Sequence, residues 1–151
     1  MTTKNAVENF LSQKNLAIAG MSRNPKKFGN YIFKTLKDKG YNLFPIHQHS
    51  DTLEGQKCYP TISAIPSKID GLIINVKPAD TEKLVEEAAL AGIKSIWMQQ
   101  GSHSPKAIES CKNHGISEIH GECIIMFTNG HSMPHSIHRW VWGIFGKLPK
   151  S

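Results

Sequence analysis

The sequence is poor in cysteine and has no long hydrophobic run. Its three cysteines, Cys58, Cys111 and Cys123, include no C-x-x-C pair, so we expect reduced thiols and no disulfide framework. No apolar run approaches the roughly 20 residues that a membrane span needs. The first ten residues also lack the apolar core of a secretion signal. Together these absences predict a cytoplasmic protein without a membrane span.

The composition predicts one folded domain with an excess of positive charge. The chain has 151 residues, of which 39% are hydrophobic and 20% are charged, as in globular domains rather than disordered chains. The formal net charge of +6 favours anionic partners. A phosphorylated cofactor, nucleic acid and an acidic membrane surface all satisfy that charge. No nucleic-acid recognition motif is present, so we do not expect nucleic acid as the partner.

Apolar segments alternate with amphipathic segments along the chain. Helices are predicted over residues 3–14 and 28–39, after a cap at Asp80 or Thr81, and after the Ser104-Pro105 cap. In the helix over 28–39, the residues expected to face inward are Phe28, Ile32, Phe33 and Leu36. Strands are predicted over 16–19, 41–46, 69–76, 93–98 and 116–119. This alternation predicts an α/β fold: a three-layer domain whose five-stranded, mostly parallel sheet has helices on both faces.

The segment between the first strand and the second helix, LAIAGMSRNPKKFG, is the most informative stretch of the sequence. Its apolar run stops at Gly20, where a tight turn needs conformational freedom. A strand, a glycine turn and a helix start aim free backbone N–H groups at an anion. These residues fit equally a phosphate site for a nucleotide-like ligand and an ordinary turn of an α/β domain.

The carboxyl ends of the predicted strands define where a ligand is expected. In parallel α/β sheets, ligands bind at these ends, where the strand order reverses. The segments there are Gly20-Met21-Ser22-Arg23, Ile46-His47, Val76-Lys77-Pro78 and Met98-Gln99-Gln100.

A nicotinamide dinucleotide fits these segments poorly. The G-x-G-x-x-G motif is missing, because Ser22 stands where the second glycine would be. The second strand ends without the acid that would bind the ribose hydroxyls, since no acid precedes Asp51. An NAD(P)-binding oxidoreductase is therefore the alternative rather than the first hypothesis.

Several motifs, in order, resemble the small bacterial and archaeal CoA-binding proteins. The motifs are LAIAGMSRNPKKFGNYIF, GYNLFPI, EGQKCYPTISAIP, DGLIINVKP, SIWMQQG and GECIIMF. This family is similar in turn to the CoA-binding domain of the succinyl-CoA synthetase α-subunit. The resemblance covers residues 16–127. It implies a Rossmann-like domain that binds coenzyme A or an acyl-CoA and is not itself catalytic.

The resemblance also implies a set of binding residues. Gly20, Met21, Ser22 and Arg23 would form the phosphate turn, with charge added by Lys26 or Lys27. The residues expected along the rest of the ligand are Ile46 and His47 beside the adenosine, Val76, Lys77 and Pro78 after the third strand, and Gln99, Gln100 and Gly101 at the border of the site.

One segment departs from the family pattern. The family often has Asn-Pro after the second strand, sometimes followed by a basic residue, whereas this chain has His47-Gln48-His49. We hypothesise that His49 contacts the adenosine end when it is protonated, which would strengthen binding at lower pH.

The C-terminal residues are predicted to form a segment separate from the domain. We expect a CoA-binding domain over 1–128 and an amphipathic helical extension over 129–151. The extension would pack on the domain's own surface, with a homodimer contact as the second hypothesis and an anionic membrane surface as the third. Its histidines His131, His135 and His138 have helical spacing, but Pro134 interrupts a helix there. We therefore favour a polar surface run over a metal site.

Overall fold

A computed structural model describes residues 4–131 of the chain. Its elements follow one another as strands and helices in near-regular alternation. In chain order they are α1 Lys4–Leu11, β1 Asn15–Ala19, α2 Phe28–Asp38, β2 Asn42–Ile46, β3 Thr52–Leu53, β4 Gln56–Lys57, a 3-10 helix Ile62–Ala64, β5 Gly71–Ile74, α3 Pro78–Leu90, β6 Ser95–Gln99, α4 Pro105–Asn113, β7 Ser117–Glu122 and α5 Ile124–His131.

Five strands form one parallel sheet in the order β2-β1-β5-β6-β7. Leu16 of β1 pairs with Leu43 on one side and with Gly71 on the other. The chain moves outward in one direction from β1 to β2, then crosses back to β5 and continues in the other direction. The carboxyl ends of β1 and β5 therefore flank the point where the strand order reverses. The predicted parallel α/β sheet is confirmed.

Alternate residues of the central strands pack into two cores. Leu16, Ile18 and Trp97 face the side covered by α1, α2 and α5. The ring of Trp97 meets Phe10 and Phe127 edge to face, each with 5.5 Å between ring centroids. On the opposite side, four strand residues pack against α3 and α4: Ala17, Leu72, Ile74 and Ile96. The helices contribute Val85 and Ala88 from α3 and Ala107 and Cys111 from α4. Each fully buried leucine or isoleucine stabilises the fold by about 1.5–3 kcal/mol, so the two cores hold the sheet rigidly between the helices.

Two predictions about helix ends were wrong. Phe28, expected to face inward, is 45% exposed. It is the first residue of α2, where its ring lies against Tyr31 at 5.9 Å between centroids instead of against the sheet. Helix α3 begins at Pro78 with Lys77 as its N-cap residue, ahead of the expected caps Asp80 and Thr81. The fixed φ of proline suits the first helical position, which moves the start forward.

Two elements were not predicted. Residues 48–61, for which no helix or strand was predicted, contain the hairpin of β3 and β4. Its turn residues Glu54 and Gly55 both have positive φ, 52° and 74°, as a two-residue hairpin turn requires. Helix α5 follows β7 directly, in a stretch that the sequence did not predict to be helical.

The predictions for the C-terminal extension lie largely outside the described residues. The backbone of 129–131 belongs to α5, whereas the amphipathic stripe beyond it and the other histidines of the run are not described. No helix within residues 4–131 is long and apolar enough to cross a membrane.

Candidate ligand-binding cleft

A cleft of about 510 Å³ opens at the carboxyl ends of β1, β2 and β5. It lies where the strand order reverses, with the turn after β1 on one side and the first three turns of α3 on the other. Its lining residues are Ala19, Gly20, Met21, Ile46, His47, Gln48, His49, Pro60, Val76, Asp80, Lys83, Leu84 and Glu87. The volume and the mixed polar and apolar lining suit part of a cofactor-sized ligand.

Gly20 allows the turn after β1 to lie against its neighbours. Its φ of +117° is one that side chains rarely permit. A Cβ on Gly20 would lie 2.2 Å from the carbonyl oxygen of Asn75, the residue after β5. A Cβ on Gly29 would lie 2.2 Å from the carbonyl oxygen of Gly20. The two glycines therefore bring the amino end of α2 and the end of β5 into direct contact with the turn.

The polar groups of this turn are held by the protein's own side chains. The Ser22 backbone N–H donates to Asn30 Oδ1 at 2.8 Å, and Asn30 Nδ2 donates to the Ser22 carbonyl at 2.8 Å. The Asn24 N–H donates to the Ser22 hydroxyl at 3.0 Å. The same Asn30 amide reaches Glu54 Oε2 at 2.9 Å. The turn is thus fixed to α2 and to the β3–β4 hairpin.

Arg23 connects the turn to the loop after β2. Its Nε donates to Ser50 Oγ and its Nη2 to the His49 carbonyl, both at 3.0 Å. The His49 N–H donates to His47 Nδ1 at 3.2 Å. Burial, the Arg23 guanidinium and the His49 ring, in that order, hold the pKa of His47 below its usual value. This corner therefore holds one permanent cation, Arg23, beside two imidazole rings.

The α3 wall of the cleft has a different character. Asp80, Lys83, Leu84 and Glu87 are spaced so that they share one face of the helix. Glu87 Oε2 accepts the Ile62 backbone N–H at 2.9 Å, which ties the 3-10 helix to this wall. Two carboxylates and one ammonium thus face the cleft opposite the histidines.

Most of the predicted site residues either line the cleft or lie beside it. Gly20, Met21, Ile46, His47 and Val76 line the cleft. The neighbouring loops and the first position of α3 hold Ser22, Arg23, Lys26, Lys77 and Pro78.

Gln99 lies apart from these residues. It is the last residue of β6 and is 2% exposed. Its Oε1 accepts the Ile124 N–H at 2.7 Å and its Nε2 contacts Cys123 Sγ at 3.4 Å, so its amide is engaged by the start of α5.

Sequence reasoning missed the α3 wall. The apolar stripe of this helix, Leu84, Val85, Ala88 and Ala89, is typical of core packing, and only Leu84 at its edge lines the cleft. The signal that could have found this wall is the i, i+3, i+4, i+7 spacing from Asp80 to Glu87 in the helix that follows β5.

Metal ligation finds no support within residues 4–131. No group of three or more histidine, cysteine, aspartate or glutamate side chains in this part of the chain is arranged to hold a metal ion.

Comparison with known proteins gives one family and several relatives. The family model described as "CoA binding domain" matches residues 14–129. The α subunit of the ADP-forming acetate–CoA ligase II of Pyrococcus furiosus is 26% identical over 126 residues, which is 76% of this chain and 28% of the relative. An uncharacterised protein of Bacillus subtilis, YneT, is 27% identical over 74% of this chain and 82% of its own length.

A solved structure also has this fold. A hypothetical protein from Pyrococcus horikoshii superposes with a TM-score of 0.78 at 29% identity, covering 83% of this chain and 88% of that one. The chain thus corresponds to nearly the whole of some relatives but to only about a quarter of the length of the Pyrococcus furiosus ligase subunit.

Proposed function

Because the chain belongs to the CoA binding domain family, we propose that it binds coenzyme A or an acyl-CoA in this cleft and does not transform it unaided. The observation that carries the proposal is the position of the cleft. It opens beside the Gly20 turn, at the point where the order of a parallel sheet reverses, which is where nucleotide-like ligands bind in such sheets.

The turn from Gly20 to Arg23 would hold the pyrophosphate together with the amino end of α2. The Ser22 and Asn24 amides are already engaged within the protein, so they are not the proposed donors. The N-cap residue Lys27 makes no side-chain hydrogen bond to the first turn of α2, which leaves N–H groups at that helix end for an anion. The Ser22 hydroxyl hydrogen and the Lys26 ammonium would add further donors.

Binding without catalysis is proposed from the composition of the cleft. Among the described residues that line it there is no serine, threonine or cysteine, so this lining offers no hydroxyl or thiol nucleophile. The histidines and carboxylates there are suited to charge and hydrogen-bond recognition.

A melting-temperature comparison tests the proposal. A ligand that binds only the folded state raises the melting temperature. We expect coenzyme A and acetyl-CoA to raise it, and NAD and a short oligonucleotide to leave it unchanged. Acetyl-CoA incubated with the protein should release no free thiol above the protein-free blank. A shift with NAD and none with coenzyme A would contradict the proposal, and thiol release would contradict its non-catalytic part.

A further inference from the structure

We propose that Glu54, at the tip of the β3–β4 hairpin, is a positioning residue that acts through Asn30 to keep the turn after β1 in its ligand-binding conformation. The inference rests on the proposed function and adds to it a residue that sets the affinity without contacting the ligand. Neither Glu54 nor Asn30 is among the residues that line the cleft, so their effect on coenzyme A binding is indirect.

Asn30 holds the turn by both backbone groups of one residue. It lies in the first turn of α2 and is 1% exposed. Its Oδ1 accepts the Ser22 N–H, and its Nδ2 donates to the Ser22 carbonyl, both at 2.8 Å. These two groups belong to the two peptide units that flank Ser22. The Asn30 amide therefore fixes the orientation of both peptide units.

Glu54 fixes the Asn30 amide from the hairpin side. Its Oε2 accepts a hydrogen bond from Asn30 Nδ2 at 2.9 Å, and its Oε1 lies 3.6 Å from Lys34 Nζ. The Glu54 side chain is 16% exposed, whereas the Lys34 side chain is 51% exposed. Hydrogen bonds to a carboxylate are stronger than those between neutral groups, and exposed ion pairs contribute little. The contact with Asn30 is therefore the important one.

The backbone conformation of Glu54 supports a functional role for its side chain. Within residues 4–131, Glu54 is the one non-glycine residue with a positive φ, 52°. Asparagine usually precedes glycine in such a two-residue turn, and glutamate is poorly suited to the left-handed region. A residue kept in an unfavourable conformation indicates a requirement for its side chain. Contact with Asn30 is such a requirement, because an asparagine side chain is one methylene shorter.

The hairpin holds Glu54 in place independently of Asn30. Leu53, which precedes Glu54, is 5% exposed and belongs to the core on the α2 side of the sheet. After β4, the Cys58 N–H donates to the Asp51 carbonyl at 2.8 Å and closes the base of the hairpin. The carboxylate is thus presented to the Asn30 amide by an anchored backbone.

Loss of the Glu54 contact would loosen the turn. A buried amide hydrogen without a partner is costly, so the Asn30 amide would turn towards other acceptors and release Ser22. The apparent affinity for a ligand falls in proportion to the fraction of protein in the binding conformation. If that fraction falls to about a tenth, coenzyme A binds about tenfold more weakly.

Three substitutions separate the hydrogen bond from the charge and from the hairpin turn. Glu54→Asn suits the left-handed backbone but is too short to reach Asn30. Glu54→Gln retains an acceptor oxygen for Asn30 and loses the charge. Lys34→Gln, the matched control, removes the exposed ion pair and leaves Glu54 in contact with Asn30. In calorimetric titrations with coenzyme A, Glu54→Asn should bind about tenfold more weakly. The other two should stay within about threefold of the unmodified protein.

Affinity and stability should separate in the asparagine variant. Its melting temperature should stay close to that of the unmodified protein, because the more favourable turn offsets the lost hydrogen bond. Hydrogen exchange of the Ser22 amide, measured without ligand, should be about tenfold faster in Glu54→Asn and unchanged in Lys34→Gln. Unchanged Ser22 exchange in Glu54→Asn would confine the role of Glu54 to the hairpin and overturn the inference.

A double-mutant cycle with Asn30→Ala tests the route. If Glu54 acts through Asn30, Glu54→Asn should weaken binding in the unmodified background and have no further effect in the Asn30→Ala background. Additive losses would mean that Glu54 affects the ligand by another route, which would overturn the inference. If Asn30→Ala does not fold, Ser22 exchange in the single variants makes the same distinction.

The results distinguish this inference from the proposed function. Equal affinity of the unmodified protein and Glu54→Asn for coenzyme A would overturn the positioning role and leave the proposed function intact. No binding by the unmodified protein would overturn the proposed function and, with it, the effect of Glu54 on affinity. Weak binding by Glu54→Asn together with nearly unchanged binding by Glu54→Gln would support both.

Discussion

At the scale of single residues, Gly20 determines whether the cleft can form. Its φ of +117° and the 2.2 Å that would separate an added Cβ from the Asn75 carbonyl oxygen both exclude a side chain. The backbone of β5 and the backbone of the turn are in contact there without intervening atoms. Any residue larger than glycine would push the turn away from β5 and change the floor of the cleft.

Replacing Gly20 by alanine is expected to destabilise the protein by roughly 3–5 kcal/mol, because backbone strain and overpacking add. Gly92→Ala is the matched control, since Gly92 also has positive φ, +81°, but has nothing within 4 Å of an added Cβ. It should cost about 1–2 kcal/mol from backbone strain alone. Urea unfolding measures both. Equal losses of stability would mean that the contact with Asn75 is unimportant.

At this scale, prediction from the sequence succeeded for features that depend only on residues adjacent in the chain. The end of an apolar run at Gly20 predicts a turn without any knowledge of the neighbours. The exposure of Phe28 could not be predicted, because a helical pattern gives the face of a residue but not whether the sheet extends beneath it. The turn amides that bond to Asn30 are a similar case, since the Asn30 side chain lies eight residues along the chain from Ser22.

At the scale of elements, α4 begins where the sequence predicts, with Ser104 as its N-cap residue. Ser104 Oγ accepts the Ala107 N–H at 3.0 Å, and Pro105 occupies the first helical position. The same hydroxyl donates to Glu82 Oε2 of α3 at 2.7 Å. One side chain thus caps α4 and joins it to α3, the helix that forms a wall of the cleft.

Ser104→Ala should lower the free energy of unfolding by about 1 kcal/mol, the usual cost of losing an N-cap. Ser104→Thr retains the hydroxyl and is expected to cost only a few tenths of that amount, because threonine also caps helices. Chemical denaturation followed by circular dichroism checks both variants. If alanine and threonine were equally destabilising, the hydrogen bonds of the hydroxyl would not be the cause.

The strands with continuous apolar runs were predictable from the sequence, and the two-residue strands were not. β1 and β5 are continuous apolar runs because both faces of the sheet are covered, and such runs are visible in the sequence. The strands β3 and β4 have two residues each, which is too short for a periodic signal. The start of α3 at Pro78 was missed because an acidic or hydroxyl cap was expected, whereas proline supplied the start.

At the scale of the whole molecule, the order of the strands creates the site. Outward movement to β2 and then to β5, β6 and β7 leaves an opening between the turn after β1 and α3 at the carboxyl ends of the strands. The alternation of strands and helices predicts such an opening. Which residues of α3 line it depends on the orientation of that helix relative to the sheet. The sequence therefore predicts where a ligand binds better than it predicts which residues surround it.

Calorimetric titration of coenzyme A against two leucine variants of α3 tests the central claim most directly. Leu84 lines the cleft, whereas Leu90 on the same helix is 91% exposed and lies outside it. Leu84→Trp should fill the cleft and abolish the heat of coenzyme A binding, and Leu90→Trp should bind as the unmodified protein does, with both variants folded by their melting transitions. Unaltered binding by a folded Leu84→Trp protein would contradict the claim that coenzyme A occupies this cleft.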